Sequence, residues 1–277
     1  MTREHGRNLI QYAILTVIVL ATLYPIVWMF LASTKTNLEI FTGAGLSPGS
    51  AGLANYRSSF SQRPFLLYLL NSVFAATVSV VVTVVLGCFA SYSFTKLPFR
   101  ASKVLWVFVL ASIMIPIEAI AIPLYLQVNS FGWVNSYAAI VIPTALNAGG
   151  IFIIRQAMLT IPDDFIEAAR VDGASEPRIL FSIVMPMLAP SLTVAGVLTF
   201  NLSWNSYLWP LIVTSDDTLR TLPLGMAAFE KTFYTLYGEI MAVSVFGTIP
   251  LVLFFMMFQK ILYRRQSHCR IEIEDVC

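Results

Sequence analysis

Residues Ile161–Pro186 read IPDDFIEAARVDGASEPRILFSIVMP, and apolar stretches flank them on both sides. Pro162 followed by Asp163 and Asp164 is a helix start, with the acids at the positive end of the helix dipole. The helix continues through Glu167, Ala168, Ala169 and Arg170, and Gly173 suits a left-handed C-terminal cap. Ser175 can cap a second helix with Pro177 in its first turn, ending at Pro186. The segment reads as two short helices joined at a glycine bend and lying along a membrane surface.

The surrounding composition supplies the membrane. The chain has 277 residues, 57% hydrophobic and only 12% charged, against about 25% charged in a typical soluble domain. A bilayer accepts apolar side chains facing outward, whereas water does not. A crossing helix needs about 20 apolar residues. Six segments approach or exceed that length: Leu9–Leu31, Leu66–Phe94, Val104–Gln127, Tyr137–Ile154, Leu188–Val213 and Ile240–Tyr263. The fourth is the shortest and carries Pro143, Gly149 and Gly150. The fold class expected is an all-α membrane protein of six transmembrane helices, one transmembrane domain over residues 1–277.

Lysine and arginine positions orient these spans. One set of flanks and loops carries twelve of them and the opposite set five. By the positive-inside rule both termini then lie in the cytoplasm, as does the Arg155–Met187 loop. That loop is about 33 residues long, against about ten for the other internal one. On the outer side, Ala32–Phe65 reads as loop-like, Val128–Ser136 as short and uncharged, and Thr214–Glu239 as holding a short helix near Leu224–Phe233.

Other classes lose ground on residue counts. A net charge of +2 gives no basic field for nucleic acid. Cys88, Cys269 and Cys277 show no metal-binding or disulfide spacing, and the only histidines, His5 and His268, lie in the tails. The first apolar run spans 23 residues and ends in Trp28, Met29 and Phe30. A cleaved signal peptide would be shorter and end in small residues, so an uncleaved helix is expected.

A lipid-resting amphipathic hairpin competes with a docking surface for the long loop. Anionic headgroups would repel Asp163, Asp164, Glu167 and Asp172, which favours docking to a protein. Here the residues carry a resemblance. Glu167-Ala168-Ala169, then Gly173, then Ile183, Met185 and Pro186 resembles the EAA loop of ABC-importer permeases: E-A-A, three residues, G, nine residues, I-x-L-P. Every spacing matches, with Met185 in place of leucine, and Asp172 and Ala174 complete the extended form. Met114–Gln127, Phe200–Leu211, Thr221–Met226 and Ile249–Lys260 are similar to carbohydrate-uptake permeases, especially the six-helix subunit of maltose- and glycerol-phosphate-type pairs. The similarity extends from Leu9 to Tyr263.

That resemblance implies a type I ABC importer in the cytoplasmic membrane of a prokaryote. Two homologous permeases would form the pathway, two cytoplasmic ATPases would bind the ATP and magnesium, and an extracytoplasmic solute-binding protein would deliver substrate. This chain would hold no cofactor. Glu167, Ala168, Ala169, Asp172, Gly173, Ile183 and Pro186 would couple to the ATPase, Glu167 by polar contact and Gly173 by its bend. The tail, RRQSHCRIEIEDVC, departs from the Gly- and Ala-rich ends of relatives. Arg264 and Arg265 read as a membrane-edge anchor.

Polar groups inside spans need a reason, because insertion of an ionisable residue costs at least about 2.5–3.5 kcal/mol. Glu118, between Pro116 and Pro123, is either a cavity group for sugar hydroxyls or an acceptor for backbone freed by the prolines. Asn201, Trp204, Asn205 and Leu208 share a helical face by their spacing. Amides beside an aromatic ring suit sugar recognition, and they also suit interhelical contacts. The first three are pathway candidates, while Tyr207 and Trp209 are assigned to an interfacial aromatic belt.

No GxxxxGK[ST] phosphate loop occurs, so ATP hydrolysis would belong to a partner. An ion-coupled secondary transporter is the alternative, though it ordinarily needs several intramembrane ionisable groups. A membrane enzyme stands third, as no HExxH or GxSxG motif appears.

Overall fold

The computed structural model describes residues 2–43, 45–97, 99–227, 229 and 235–274; side chains are described at residue 8 and over 10–258, outside the same gaps. The long regular elements among them are helices. In chain order these are α1 (Thr2–Ala32), α2 (Asn37–Phe41), α3 (Ala54–Gln62), α4 (Phe65–Lys96), α5 (Ser102–Ile113), α6 (Ile117–Ser130), α7 (Tyr137–Ala145) and α8 (Ala148–Met158). Then follow α9 (Asp163–Val171), α10 (Glu176–Ile179), a π-helical turn at Leu180–Val184, α11 (Met185–Met187), α12 (Ala189–Trp204), α13 (Leu208–Val213), α14 (Leu222–Ala227) and α15 (Tyr237–Glu274). Among the described residues, four helical segments are long and apolar enough to cross a membrane: Ile10–Ala32, Phe65–Lys96, Tyr137–Met158 and Tyr237–Phe258. Two bent pairs raise the number to six if each counts as one span: Ser102–Met114 with Ile117–Ser130 at 108°, and Glu176–Met187 with Ala189–Trp204 at 84°.

Two compact units divide the chain: residues 1–66 with 225–249, and residues 67–224 with 250–277. In the first, the segment expected to be loop-like is ordered by α2 and α3. Thr36 and Glu39 form a capping box at α2. The Asn55 amide donates to the carbonyls of Ser33 and Lys35, both at 2.8 Å. Phe65 stacks on Phe229 at 5.1 Å, and Phe60 meets Phe246 edge-on at 4.8 Å. Side-chain amides and ring pairs gave these short helices a fold that glycine content hid.

The second unit holds the breaks in the predicted spans. The third span is two helices, because Pro116 lacks an N–H and drives the residue before it out of the helical region. The fourth span breaks at Leu146–Asn147, not at the glycine pair. There the Thr83 hydroxyl donates to the Ala145 carbonyl at 2.6 Å and accepts from the Asn147 N–H at 3.1 Å. One side chain on α4 thus replaces the backbone partners the break removes. Pro143 also leaves the carbonyl four residues back, on Ala139, without its helical partner. The Trp209 indole N–H takes that place at 2.9 Å. Trp209 is therefore buried, at 2% exposure, which corrects its assignment to a lipid-facing belt.

The fifth span is also discontinuous. α12 ends at Trp204 with Asn205 as its C-cap, and α13 restarts at Leu208. The helix expected near Leu224–Phe233 begins at Leu222 and runs to Ala227, and residues 230–233 lie outside the described residues. The side chains of Arg264 and Arg265 lie outside them too.

Candidate functional site

The loop forms as its residues dictate. Gly173 has φ +79°, and its N–H donates to the Arg170 carbonyl while the Ala174 N–H donates to that of Ala169. This is the Schellman arrangement, closed by a glycine because a Cβ is strained at that φ. Ser175 occupies the cap position of α10 without a side-chain hydrogen bond, so Pro177 in the first turn and the backbone make that start. Pro186 follows a π-helical turn, where its missing N–H removes one helical hydrogen bond.

Helix α9 sorts its residues to two faces. Ile166 and Ala169 are buried, and they pack with Ile179, Leu180, Val184 and Leu188 against Cys88 and Tyr92 of α4 and Ile154 and Met158 of α8. Glu167, Ala168, Asp172 and Gly173 are exposed, as is Pro186, and Ile183 is half-buried. Ala169, expected with Ala168 among the coupling residues, is buried at 7% exposure and serves the close approach of α9 to its own chain. Phe165 is 52% exposed and Val171 88%. The sequence reading passed over both, although apolar residues flanking an acidic run on a short helix are a signal for contact.

A network of charges pins this loop to α4. Arg170 Nε donates to Glu176 Oε1 at 2.6 Å across the glycine bend, and the Tyr92 hydroxyl donates to Glu176 Oε2 at 2.5 Å. The Arg170 bonds first, then that of Tyr92, hold the Glu176 carboxyl below its usual range. Lys96, whose side chain is 6% exposed, donates to the Ile161 carbonyl at 2.7 Å and to Asp163 at 2.6 Å. At the end of α8, the Arg155 guanidinium lies 4.2 Å over the Trp106 ring.

A cleft of about 680 Å³ opens where the broken helices meet, lined by residues of α5, α6, α7, α8, α12 and α13 with their junctions. Its polar lining is Ser112, Thr144, Asn147, Thr199, Ser203 and Ser206, with Trp209 at its wall. Asn147 also caps α8, accepting from the Gly150 N–H at 2.8 Å. Gly150 permits the close packing there: a Cβ would stand 2.6 Å from Thr83 Cγ2.

The residues predicted from helical spacing do not gather here. Glu118 is exposed in the first turn of α6, between Ile117 and Ile120 of the lining. Asn201 and Asn205 are exposed and bonded to each other, Asn205 Nδ2 donating to Asn201 Oδ1 at 2.9 Å. Trp204 is buried and stacks on Phe200 at 5.6 Å. The helical period holds for Asn201 and Asn205, but α12 turns Leu198, Thr199, Leu202 and Ser203 to the cleft instead, and Leu208 alone lies beyond the helix end, in α13.

Residues 83–268 match the family described as binding-protein-dependent transport system inner membrane component. The chain belongs to that family. This permease is 31% identical over 258 residues to the lactose transport system permease protein LacG of Rhizobium radiobacter, covering 93% of this chain and 94% of that one. It is 32% identical over 243 residues to the trehalose/maltose transport system permease protein MalG of Thermococcus litoralis, covering 86% and 87%. With the sn-glycerol-3-phosphate transport system permease protein UgpE of Pectobacterium atrosepticum it shares 30% over 266 residues, covering 93% and 95%. Its fold is that of a chain in the crystal structure of a bacterial ABC transporter importing the acidic polysaccharide alginate, with TM-score 0.79, 21% identity, and coverage of 94% and 98%. The permease is thus a membrane transport component of an ABC importer.

Proposed function

We propose that this permease forms half of a six-plus-six-helix pathway for an uncharged sugar or polyol, with both termini cytoplasmic. A second permease completes the pathway, two cytoplasmic ATPases drive it, and an extracytoplasmic binding protein supplies the solute. The observation that carries this is the outward face of α9, with Glu167, Ala168, Phe165 and Val171 exposed on a helix whose other face is locked to α4 and α8. A face held this firmly passes a push from a docked ATPase into the spans. The loop 155–187 is the coupling loop, Glu167, Ala168 and Asp172 meet the ATPase, Gly173 sets the bend, and Ile183 and Pro186 shape the return into the membrane.

The cleft supports this substrate class. Its described lining has hydroxyls, one amide and an indole, and no charged residue. Hydroxyl and amide groups exchange hydrogen bonds with a polyol, whereas an anion would leave its charge unpaired. Relatives named for lactose and for trehalose/maltose fit a neutral sugar, and the relative named for sn-glycerol-3-phosphate makes a sugar or polyol phosphate the competing class. Glu118, Asn201 and Asn205 stand as outer-surface contacts of the same pathway, and Trp204 as the residue that stiffens α12 beneath them.

Reconstitution with the ATPase and binding-protein subunits tests this. Glu167→Ala and Gly173→Val should abolish ATP-driven uptake, and Ser203→Leu should reduce it with ATPase docking intact. Uptake that persists without ATP, or after loss of the loop, overturns the reading in favour of an ion-coupled carrier.

A further inference from the structure

The apolar run of α1 ends at Leu31, and Lys35 follows one turn later. Its side chain turns inward: the residue is 3% exposed, and its Nζ donates to the Gly45 carbonyl at 2.6 Å. An ammonium has three N–H donors, and this one makes no ion pair with a described carboxylate. Glu39, four residues on, has its oxygens committed to the N–H groups of Thr36 and Ser50. A buried cation with vacant donors and no counter-charge among the described residues is costly, and an anionic ligand removes that cost.

The cavity for one is present. Lys35 lines a pocket of about 330 Å³ with Tyr24, Trp28, Ile40, Gly45 and Leu46. Tyr24 and Trp28 are four residues apart on one face of α1, in the interfacial position where such rings sit at headgroup level. Below them, no residue of the most apolar window of α1 is buried within the chain. A ligand held at Lys35 would therefore continue along an apolar helix face.

We propose that this pocket binds the phosphate group of a membrane lipid, with Lys35 as its charge partner, Tyr24 and Trp28 flanking the headgroup, and Ile40 and Leu46 against the glycerol region. A free phosphate satisfies Lys35 equally but makes no use of the apolar walls, so the lipid is favoured.

Native mass spectrometry of the full chain released from detergent measures this. The probes are phosphatidylglycerol, a phosphate-free glucosyl diacylglycerol, and inorganic phosphate. Phosphatidylglycerol should be retained about ten-fold more strongly than the glycolipid, the value of one hydrogen bond to a charged group. Lys35→Gln should remove that preference and Lys35→Arg keep it. Trp28→Ala, on the pocket wall, should weaken retention of phosphatidylglycerol even if Lys35→Gln fails to fold. Equal retention of the two lipids overturns the proposal, as does a preference unchanged in Lys35→Gln. Displacement of phosphatidylglycerol by equimolar inorganic phosphate assigns the pocket to a free anion and overturns the lipid. Loss of retention once a second permease subunit is added shows a protein contact there and overturns it too.

Discussion

The hydroxyl of Tyr92, near the end of α4, donates a 2.5 Å hydrogen bond to the carboxylate of Glu176, at the start of α10. Glu176 in turn holds Arg170, so one carboxylate ties together a long helix and both short helices of the loop. Tyr92→Phe removes Glu176's link to α4 and leaves the Arg170–Glu176 pair and the Lys96 bonds to Ile161 and Asp163. A hydrogen bond to a charged group contributes about 1.5–3 kcal/mol. Chemical denaturation in detergent should show a loss near the lower end of that range. In the assembled importer, ATP hydrolysed per solute transported should rise several-fold, because the docked loop moves with less hold on α4.

Val171 is 88% exposed, so Val171→Asp should change stability by no more than about 0.5 kcal/mol. The same change places a charge in the proposed ATPase contact, where full burial of an apolar side chain is worth about 1.5–3 kcal/mol. Titration of the purified ATPase should show affinity falling at least ten-fold, with an unchanged unfolding curve. Retained affinity would place the contact elsewhere on the loop.

Trp209→Phe keeps most of the apolar volume and deletes the N–H that serves the Ala139 carbonyl. An unsatisfied buried carbonyl costs about 1–3 kcal/mol. The thermal midpoint should fall by several degrees. Pro143→Ala in the same background should recover part of the loss, since it restores the helical N–H for that carbonyl.

Glu39 has its pKa lowered from 4.5 to about 2, first by the Thr36 N–H and then by Ser50. A depressed carboxylate contributes stability that is present above the unfolded value and lost as pH falls through the folded one. The stability difference between wild type and Glu39→Gln should therefore be constant above about pH 5 and shrink as pH falls toward 2. Denaturation series at several pH values would show it. A difference that grows on acidification contradicts the hydrogen bonds drawn for Glu39.

Residues 161–186 show how far reading could go before tertiary contacts intervened. Helix starts at Pro162 and Ser175 and the turn at Gly173 depend on groups within a few residues, so they were legible. Which alanine faced outward was not, because that depends on α4 and α8 lying against Ile166 and Ala169. The cleft was illegible for a related reason. Asn147 and Ser206 of its polar lining sit at helix breaks, and which face of α12 lines it depends on the helices packed around it, whereas spacing shows only that Asn201 and Asn205 share a face.

Apolar run lengths, the spacing from Glu167 to Pro186 and the prolines at 116, 143 and 186 belong to the sequence alone, and they decide that the chain is built of interrupted apolar helices with one long polar loop between two of them. Tertiary structure decided who satisfies each interruption. Thr83 serves the backbone at Ala145 and Asn147, 62 and 64 residues away, and Trp209 serves Ala139, 70 residues away. A missing N–H is visible in the sequence because proline is; its replacement is visible only in space, because any donor brought within about 3 Å will do.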